Sequence, residues 1–345
     1  MFESFFIKQA LQKSTSLICD EFLKKYQHHT ILITGAGGSI GSKIVEELVK
    51  INFKNIVLLD HSELHLFKLK KKYSSLDFSY EIGDIRDHKK IDFIWSLYKP
   101  KLVIHAAAYK HVSLVENDMY ELIRTNLEGT INVYTSSLKH KVSDFIFIST
   151  DKAVNPVNNM GVSKMLAELF LKSYFKTNTL NTKIIRFGNV INSNGSVVPI
   201  FIDNIKDGTP MKVRGKDVER YFIYDTVVAK SILNCSIENK NGMYLLEMNT
   251  PIKILDLANY LNKENKTKSS IKITALEKKE KKKEELLNFN ESVEVTNDHN
   301  CYRIRNSSPI DIGIRKNIID IVRINKNLDS ELLESNIRLA HEKII

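Results

Sequence analysis

Cysteine is scarce in this sequence of 345 residues, which contains only three. Cys19, Cys235 and Cys301 are far apart along the chain and lack the short spacings of metal ligands. A disulfide framework and a zinc site are therefore both disfavoured. We expect three reduced thiols, the usual state in a cytoplasm, and no metal centre.

A long apolar run is also missing. None approaches the roughly 20 residues that cross a bilayer, and the N-terminus lacks the basic start, apolar centre and small-residue cleavage site of a signal peptide. The hydrophobic content of 43% is ordinary for a globular protein. We expect a cytoplasmic protein without a transmembrane segment, with one large domain or two modest ones.

Positive charge exceeds negative charge, with 51 Lys and Arg against 41 Asp and Glu and a net charge of +10. Two lysine clusters, at 68–72 and 278–283, hold much of the excess. Each can be a solvated helix face, a nucleic-acid patch or a patch for an acidic membrane surface. Nucleic-acid motifs and interleaved arginine and aromatic residues are absent, so we favour solvated faces and predict no nucleic-acid partner.

What the sequence does contain is a glycine-rich turn between an apolar β-branched run and a helical pattern. Its glycines permit a tight turn, close approach of a pyrophosphate to the backbone, and close packing of helix on strand. A second apolar run ends in an aspartate about 20 residues later, where a ribose hydroxyl acceptor belongs. The alternative is a glycine-rich connector in another kind of α/β protein. The predicted dinucleotide contacts are Thr34, Gly35, Gly37, Gly38, Ser39, Ile40, Gly41 and Asp60.

Strand and helix patterns alternate from residue 30 to residue 190. Such alternation implies a parallel sheet covered on both faces. We predict an α/β fold: a Rossmann-type doubly wound parallel sheet at 30–190 and a smaller C-terminal substrate-binding lobe at 191–345. A helical extension is expected at 1–29. The predicted strands begin at Ile31, Ile56, Tyr80, Leu102, Asp144 and Lys183.

The two ends of the chain are less regular. In the second half we predict a helix over 197–206, a strand over 211–214 and a helix over 252–261. Residues 276–300, rich in lysine and glutamate, are expected to form a helix and then a mobile loop. At the N-terminus a helical stripe favours docking on the chain's own domain or a partner subunit over a membrane surface. The stripe consists of Phe2, Phe5, Phe6, Ala10 and Leu11.

Ligands of such sheets bind at the carboxyl ends of strands, so residues that follow strands are candidates for the site. Asp84, with Ile85, follows the third predicted strand and is either an acceptor for an adenine amino group or a helix cap. Asn126 is either a partner of the backbone near the cofactor or a helix cap. The small residues that end the fourth strand leave room beside a cofactor; they are Ala106, Ala107 and Ala108.

The most specific stretch follows the fifth predicted strand. It reads Ser149-Thr150-Asp151-Lys152, and then Asn159-Met160-Gly161-Val162-Ser163-Lys164. Together with the glycine turn and with 105–112, 186–190 and 220–222, it resembles the extended short-chain dehydrogenase/reductases. Over residues 30–260 the sequence is most similar to CapD-like polysaccharide-biosynthesis enzymes, typified by UDP-N-acetylglucosamine 4,6-dehydratases.

The resemblance implies a reaction with bound NAD. The sugar is oxidised at carbon 4, a base takes the proton at carbon 5, and an acid helps the hydroxyl on carbon 6 to leave. It implies Lys152 as the base and Asp151 as the acid, with Thr150 bonded to the oxygen at carbon 4. A lysine base needs its pKa lowered by burial or a nearby cation. Lys164, which in the family binds the nicotinamide ribose, is the expected cation.

Met160 occupies the tyrosine position of the general short-chain pattern. A thioether cannot take a proton, so the base for the hydroxyl on carbon 4 is left open between Thr150 with Lys164 and a bound water. The glycine turn and Met160 look most like the retaining subgroup of methionine-type enzymes. We therefore expect the configuration at carbon 5 to be retained.

Further residues are expected at the substrate; they are Lys110, His111, Asn189, Val197 and Arg220. Asn189 and Arg220 are assigned to the diphosphate or nucleotide. The alternative for Arg220 is a surface ion pair, and the alternative for His111 is a structural role. The family's Arg-Pro-Gly-Glu-Lys segment has Glu277 in place of its arginine. Either another cation substitutes or the nucleotide is held differently.

The expected function is conversion of UDP-N-acetylglucosamine to its 4-keto-6-deoxy derivative for surface polysaccharide or glycan synthesis. The alternatives are a nucleotide-sugar epimerase of the same family and a non-catalytic NAD-binding regulatory protein. The resemblance also implies a homodimer or higher homo-oligomer, formed through helices that begin near Tyr120 and Met160. The second helix has an apolar stripe beyond what one core face requires, made of Met165, Leu166, Leu169 and Phe170.

Overall fold

A mainly parallel sheet of nine strands runs through the part of the chain that this computed structural model describes, residues 18–177, 179–296, 300–306, 313–327 and 335–337. Along the chain the strands are β1 (Ile31–Thr34), β2 (Ile56–Asp60), β3 (Ser79–Ile82), β4 (Leu102–His105), β5 (Asp144–Ile148), β6 (Asn181–Arg186), β7 (Asn189–Ile191), β8 (Met211–Arg214), β9 (Glu219–Arg220), β10 (Phe222–Tyr224), β11 (Gly242–Leu246), β12 (Ile252–Lys253), β13 (Ile271–Thr274), β14 (Glu291–Val295) and β15 (Cys301–Asn306). The order across the sheet is β14-β15-β11-β6-β5-β4-β1-β2-β3; β15 is antiparallel to both its neighbours, β11 and β14, and all other neighbouring strands are parallel.

Helices cover both faces of this sheet. They are α1 (Asp20–Tyr26), α2 (Ser39–Lys50), α3 (Glu63–Lys72), α4 (His88–Tyr98), α5 (Val112–Val115), α6 (Met119–Leu122), α7 (Gly129–Lys139), α8 (Asn159–Lys172), α9 (Val197–Lys206), α10 (Asp225–Cys235), α11 (Ile254–Glu264) and α12 (Ile314–Lys326). One apolar core lies under α1, α2, α3 and α10, and the other under α4, α7, α8 and α12. Strands buried on both faces explain the continuous apolar runs, and the predicted Rossmann-type sheet is confirmed.

The strand order reverses between β1 and β4. From β1 the chain moves outward through β2 and β3, then crosses back to β4 on the other side of β1 and continues to β5 and β6. Such a switch point opens a crevice at the carboxyl ends of the strands, where ligands bind in open α/β sheets. The glycine turn after β1 and the alanines after β4 therefore face one crevice.

The smaller lobe has its own apolar core, made by α9, α11 and the pairs β8–β13, β7–β10 and β9–β12. Its predicted helix at 197–206 and strand at 211–214 have the expected bounds. The chain then returns to the main sheet through β11, β14 and β15. The division at residue 190 remains a prediction, and residues assigned to the lobe by sequence supply three strands of the main sheet.

Three local predictions were wrong. The predicted helix at 252–261 begins only at Ile254, because Ile252 and Lys253 pair as β12 with Arg220 and Glu219. Among the described residues of 276–300 there is no helix; this segment crosses the turn that follows β5, Asp151–Ala153, and then enters β14. Its charged residues pair with distant parts of the chain, Glu280 with Arg214 and Lys279 with Glu116. Tertiary contacts thus replace the contacts of a helix.

The third wrong prediction concerns the cysteines. Cys235 at the end of α10 and Cys301 at the start of β15 form a disulfide pair in the core, and Cys19 lies outside this pair. The fold brings together two residues that are 66 positions apart. The predicted N-terminal stripe at 2–11 lies outside the described residues, whereas α1 docks on the main domain through the buried Phe22 and Tyr26.

The last helix, α12, covers the surface from which a dimer was predicted. Ile314, Ile318 and Ile321 are buried in the same core as the predicted stripe on α8, whose residues are all at most 6% exposed. Polar contacts fix α12 in place: Arg315 donates to the backbone oxygen of Ser173 (2.7 Å). Asn325 donates to that of Tyr120 (3.1 Å). The apolar excess of α8 is therefore used within the chain, and the homo-oligomer stays a prediction without this stripe.

Candidate active site

The glycine turn has little room for side chains. Gly35 has φ +65°, and a Cβ there would lie 2.7 Å from the backbone of Ala107. A Cβ on Gly41 would lie 2.2 Å from the carbonyl oxygen of Gly35, so α2 could not pack against the turn. Gly37 is instead confined by His65 on α3, 2.3 Å from such a Cβ. The turn thus presents the N-terminus of α2 to the crevice, a site that favours phosphate.

Asp60 at the end of β2 is held against this turn. Its Oδ2 accepts a hydrogen bond from the Gly37 amide (2.9 Å), and its Oδ1 accepts one from the Ser62 amide (2.9 Å). The residue is only 4% exposed. Two backbone donors keep its carboxylate at the rim of the crevice, where a ribose would lie.

A cavity of about 180 Å³ lies between the glycine turn and the ends of β2, β3 and β4. It is lined by Gly35, Gly38, Leu59, Asp60, His61, His65, Gly83, Asp84, Ile85, Arg86, Ala106, Ala107, Ala108, Tyr109 and Thr125. Eight of these were predicted cofactor contacts, and the other seven were missed: Leu59, His61, His65, Gly83, Arg86, Tyr109 and Thr125. The hydroxyl oxygen of Thr125 is buried and has no hydrogen-bond partner among the described residues. A phosphate-favouring helix end, a ribose acceptor and an open hydroxyl fit a dinucleotide.

Asp84 is not a helix cap, since Asp87 caps α4 by accepting from the Lys90 amide (3.1 Å). Asp84 instead accepts from the guanidinium of Arg86 at 2.6–3.0 Å, and Arg86 also donates to Glu121 (2.7 Å). Arg86 follows Asp84 by two residues in the loop after β3, so a search for cations beside the predicted adenine acceptor would have found it. Its charge is balanced by these two acids.

Thr34 and His105 join β1 to β4 at the switch point. Thr130 donates to the carbonyl oxygen of Asn126 (2.7 Å), so its hydroxyl oxygen accepts from His105 Nε2 (3.0 Å). His105 Nδ1 must then accept from the Thr34 hydroxyl (2.7 Å). Burial lowers the pKa of His105 to about 3, so the imidazole is neutral. The side chain of Thr34 therefore has a structural role: its hydrogen bond to His105 joins β1 to β4 beneath the crevice.

Asn126 lies inside a π-helical turn, Ile123–Glu128, and not at a helix end. Its amide accepts from the backbone nitrogen of Tyr109 (2.8 Å) and donates to the backbone oxygen of the same residue (3.1 Å). It also donates to the Ser163 hydroxyl on α8 (2.9 Å). Asn126 thus joins the loop after β4 to α8. It bonds to the backbone of that loop, as in the first of its two predicted roles.

The chain leaves β5 in a single 3₁₀ turn, Asp151–Ala153, which carries the predicted acid and base. The Thr150 hydroxyl donates to Asp151 Oδ1 (2.9 Å), and Lys152 Nζ donates to the same oxygen (3.1 Å). Lys152 Nζ also donates to Asn189 Oδ1 (3.0 Å). Asp151 is fully buried, and its Oδ2 has no hydrogen-bond partner among the described residues. A buried polar atom without a partner is unfavourable, which makes this carboxylate oxygen a candidate acceptor for a substrate proton.

The pKa of Lys152 is not lowered as predicted. Burial alone lowers it, but the carboxylates of Asp151 and Glu284 outweigh burial and hold the pKa above its ordinary value. The cation that acts in the opposite direction is Arg220, not Lys164. Lys152 and Asp151 therefore rest as an ammonium–carboxylate pair.

The lowered pKa belongs to Lys164 on α8. Burial brings it to about 7, although Glu168 opposes this shift. The ammonium donates to the carbonyl oxygen of Ile148 (2.6 Å) and lies 3.8 Å from the centre of the Phe147 ring. Met160, one helical turn earlier, is 3% exposed and packs against Val115 and Leu122.

The predicted substrate residues fall into two groups. Asn189 accepts from Lys152 of the 3₁₀ turn, whereas Arg220, only 9% exposed, lies 3.7 Å from Glu284. Lys110 lies on the other side, where its ammonium donates to the Ser39 hydroxyl (3.2 Å) at the start of α2. His111 is exposed, and its ring lies against Gly195, where an added Cβ would be 2.6 Å from it. Val197 begins α9 and packs against the lobe core.

Sequence reasoning missed the segment that crosses the catalytic turn. Lys281 donates to the carbonyl oxygen of Val154 (2.8 Å), Asn155 donates to Glu285 (2.6 Å), and Glu284 approaches Lys152. The run of lysines and glutamates gave no local signal that one glutamate is buried. A separate finding concerns Glu277, which takes the place of the family arginine: it pairs with Arg214 on β8 (3.0 Å).

Comparison with known proteins decides the family. Residues 31–306 match the family described as polysaccharide biosynthesis protein. The chain belongs to this family. Within it, the capsular polysaccharide biosynthesis protein CapD of Staphylococcus aureus is 38% identical over 294 residues, 82% of this chain. The chain spans about half the length of CapD and of the Bacillus subtilis protein EpsC, 48% of each.

Two other relatives of this chain are named for reactions on nucleotide sugars. The inverting UDP-N-acetylglucosamine 4,6-dehydratase of Campylobacter jejuni is 32% identical over 68% of this chain and 72% of its own. The UDP-glucose 4-epimerase of Rickettsia canadensis is 29% identical over 80% of this chain and 82% of its own. The family is therefore one of nucleotide-sugar dehydratases and epimerases.

Solved structures agree with the fold. Pen from Bacillus thuringiensis superposes with a TM-score of 0.70 at 28% identity, over 76% of this chain and 83% of its own. DesIV of Streptomyces venezuelae, a dTDP-glucose 4,6-dehydratase with NAD bound, gives 0.67 at 20% identity, over 74% and 88%, and supports the fold alone. No helix in the described ranges is long and apolar enough to cross a membrane.

Proposed function

We propose that this protein is a nucleotide-sugar 4,6-dehydratase that converts UDP-N-acetylglucosamine to its 4-keto-6-deoxy derivative. The observation that carries the proposal is the Asp151–Lys152 pair at the carboxyl end of β5, with a buried carboxylate oxygen left open. Loss of water across two sugar carbons needs an acid and a base side by side. The dehydratase relative supports the substrate, and surface polysaccharide or glycan synthesis is the proposed use of the product.

The pair carries one proton, and the reaction needs its position to change. At rest the proton is on Lys152, because both neighbouring carboxylates favour the ammonium. Transfer to Asp151 across the 3.1 Å hydrogen bond makes Lys152 a neutral amine that can take the proton at carbon 5. Asp151 then holds the proton that the hydroxyl on carbon 6 needs to leave as water. No proton has to enter from solvent between these two steps.

The cofactor we propose is NAD, which when bound supplies reversible oxidation at the sugar. Residues of this chain would hold it: the start of α2 would face its phosphates, and Asp60 would accept from its adenosine ribose. Thr150 positions the oxygen at carbon 4. Lys164, with its pKa of about 7, is the group best suited to receive the proton of that hydroxyl, directly or through Thr150.

An epimerase is the competing function, and the Rickettsia relative favours it. An epimerase returns the same ketone to an alcohol and has no use for an acid at carbon 6, which gives Asp151 no role. Incubation with a panel of nucleotide sugars, read by mass spectrometry and by NMR of the product, separates the two. We expect a product lighter by one water; an isomer of unchanged mass would establish the epimerase.

A non-catalytic NAD-binding protein is the remaining alternative. It would bind the cofactor but leave every nucleotide sugar unchanged in the same panel. The catalytic turn argues against it, because a buried ion pair with an open oxygen is unfavourable to keep without a ligand. Cytoplasmic location and homo-oligomerisation stay predictions.

A further inference from the structure

A buried carboxylate that the sequence did not single out lies between two cations of the candidate site. Glu284 is 5% exposed, although its neighbours in the chain are lysines and glutamates that face solvent. Its Oε1 lies 3.6 Å from Lys152 Nζ and 3.7 Å from Arg220 Nε. A buried ionised carboxylate is unfavourable unless it is paired. The position of Glu284 therefore makes both cations its counter-charges.

The groups around Lys152 come from four parts of the chain. Asp151 belongs to the same turn, Asn189 to β7, Arg220 to β9 and Glu284 to the crossing segment. Two carboxylates and two cations make the cluster neutral as a whole. Removing Glu284 alone leaves two cations with one counter-charge.

The other charges near Glu284 are engaged elsewhere. Lys283 lies 3.7 Å from Glu219 and is mostly exposed. Lys281 donates to the carbonyl oxygen of Val154 and lies 3.6 Å from Glu285. Glu284 is thus the one acid of this segment, among the residues described, that is paired with Lys152.

We propose that Glu284 is a positioning residue that binds the ammonium of Lys152 and the guanidinium of Arg220 in one cluster and so sets how firmly Lys152 keeps its proton. This inference rests on the proposed function, in which the Asp151–Lys152 pair transfers protons and Arg220 meets the nucleotide. The cluster then links the group that binds the nucleotide to the group that moves the proton. The crossing segment becomes part of the catalytic apparatus and not only a surface run of charges.

Glu284→Gln tests this directly, because glutamine keeps the size of the side chain and removes its charge. An opposite charge at such distances shifts a pKa by about 1–3 units. The Lys152 nitrogen should therefore titrate about 1–3 pH units lower in the variant, with Arg220 still repelling its proton. The alkaline limb of the kcat/KM profile, where the pair loses its single proton, should fall by the same amount.

The titration is best followed in the NAD-bound protein by ¹⁵N NMR of labelled lysines, with Lys152→Arg to assign the signal. Glu285→Gln is the matched control, because Glu285 is adjacent, half exposed and bonded to Asn155. It should leave the Lys152 titration unchanged. Glu284→Asp keeps the charge and should restore most of the wild-type behaviour.

An unshifted Lys152 signal in Glu284→Gln would overturn the inference, as would an equal shift in Glu285→Gln. The NMR readout does not depend on turnover, so failure to remove water from any nucleotide sugar would reject the proposed function while the titration still decides the role of Glu284. If Glu284→Gln does not fold, Arg220→Gln reads the same cluster with the opposite sign. Lys152 should then titrate at a higher pH, and an unchanged titration would again overturn the inference.

Discussion

Replacing Lys152 with methionine tests the centre of the proposed mechanism. Methionine keeps most of the aliphatic side chain but has no proton to give or take. The change removes the donor that Asp151 Oδ1 and Asn189 Oδ1 now share, at 3.1 and 3.0 Å. It also removes the ammonium paired with the buried carboxylate of Asp151 and leaves Arg220 as the counter-charge of Glu284.

Two magnitudes follow. A positioned acid or base contributes about 10²–10⁴ in rate, or about 3–5 kcal/mol of transition-state stabilisation at roughly 1.4 kcal/mol per factor of ten. Removing one partner of a buried ion pair costs about 3–5 kcal/mol in stability. The stability loss should be smaller here, because the Lys152 side chain is 20% exposed and Arg220 remains beside Glu284. Dehydration should therefore fall far more than the folded fraction does.

The assay measures formation of the dehydrated nucleotide sugar by mass spectrometry, with bound cofactor and thermal unfolding recorded on the same samples. Lys283→Met is the matched control: Lys283 is 59% exposed and lies 3.7 Å from Glu219. It should stay within about twofold of wild type, as surface substitutions do. A folded, cofactor-bound Lys152→Met protein that keeps more than half of the wild-type rate would refute the assigned roles.

Four other predictions follow from the site. NAD should bind more tightly than NADP by calorimetry, because Asp60 would repel a 2′-phosphate and the charge of Arg86 is already balanced; equal affinities would contradict this. Lys164 loses its proton near pH 7 in the fold but near about 10.4 when unfolded. Between these values the unfolded chain binds more protons, so the free energy of unfolding should rise with pH. Urea titrations at pH 7 and 9 should show this rise in the wild type and not in Lys164→Met. Met160→Tyr should not raise the rate of dehydration, since the methionine is packed in an apolar cluster, and a large gain would mark the wild type as an impaired tyrosine-type enzyme. In deuterated water the label should enter carbon 5 with retention, giving the α-D-xylo product; an L-arabino product in the NMR couplings would show inversion, the outcome named for the Campylobacter relative.

Much of the fold could be predicted because its signals are local. The runs at 31–34 and 56–60 are apolar throughout, since central parallel strands are buried on both faces. The glycine turn could be recognised because the positive φ of Gly35 and the contact of Gly41 with the Gly35 carbonyl oxygen are local to the turn. The helix Val197–Lys206 is amphipathic within its own ten residues, and its bounds were predicted from that pattern.

The sequence by itself therefore determined the Rossmann-type sheet, the glycine turn and the position of the proposed acid–base pair after β5. The tertiary structure decided which lysine keeps its proton, which glutamate enters the site and which helix covers the apolar stripe of α8. Lys152 and Lys164 differ because Glu284 and Asp151 lie beside the first, whereas the second is buried against Phe147 and a carbonyl oxygen. Proton affinity depends on distances to charges and on burial, and chain segments far apart in sequence set both only when they fold together.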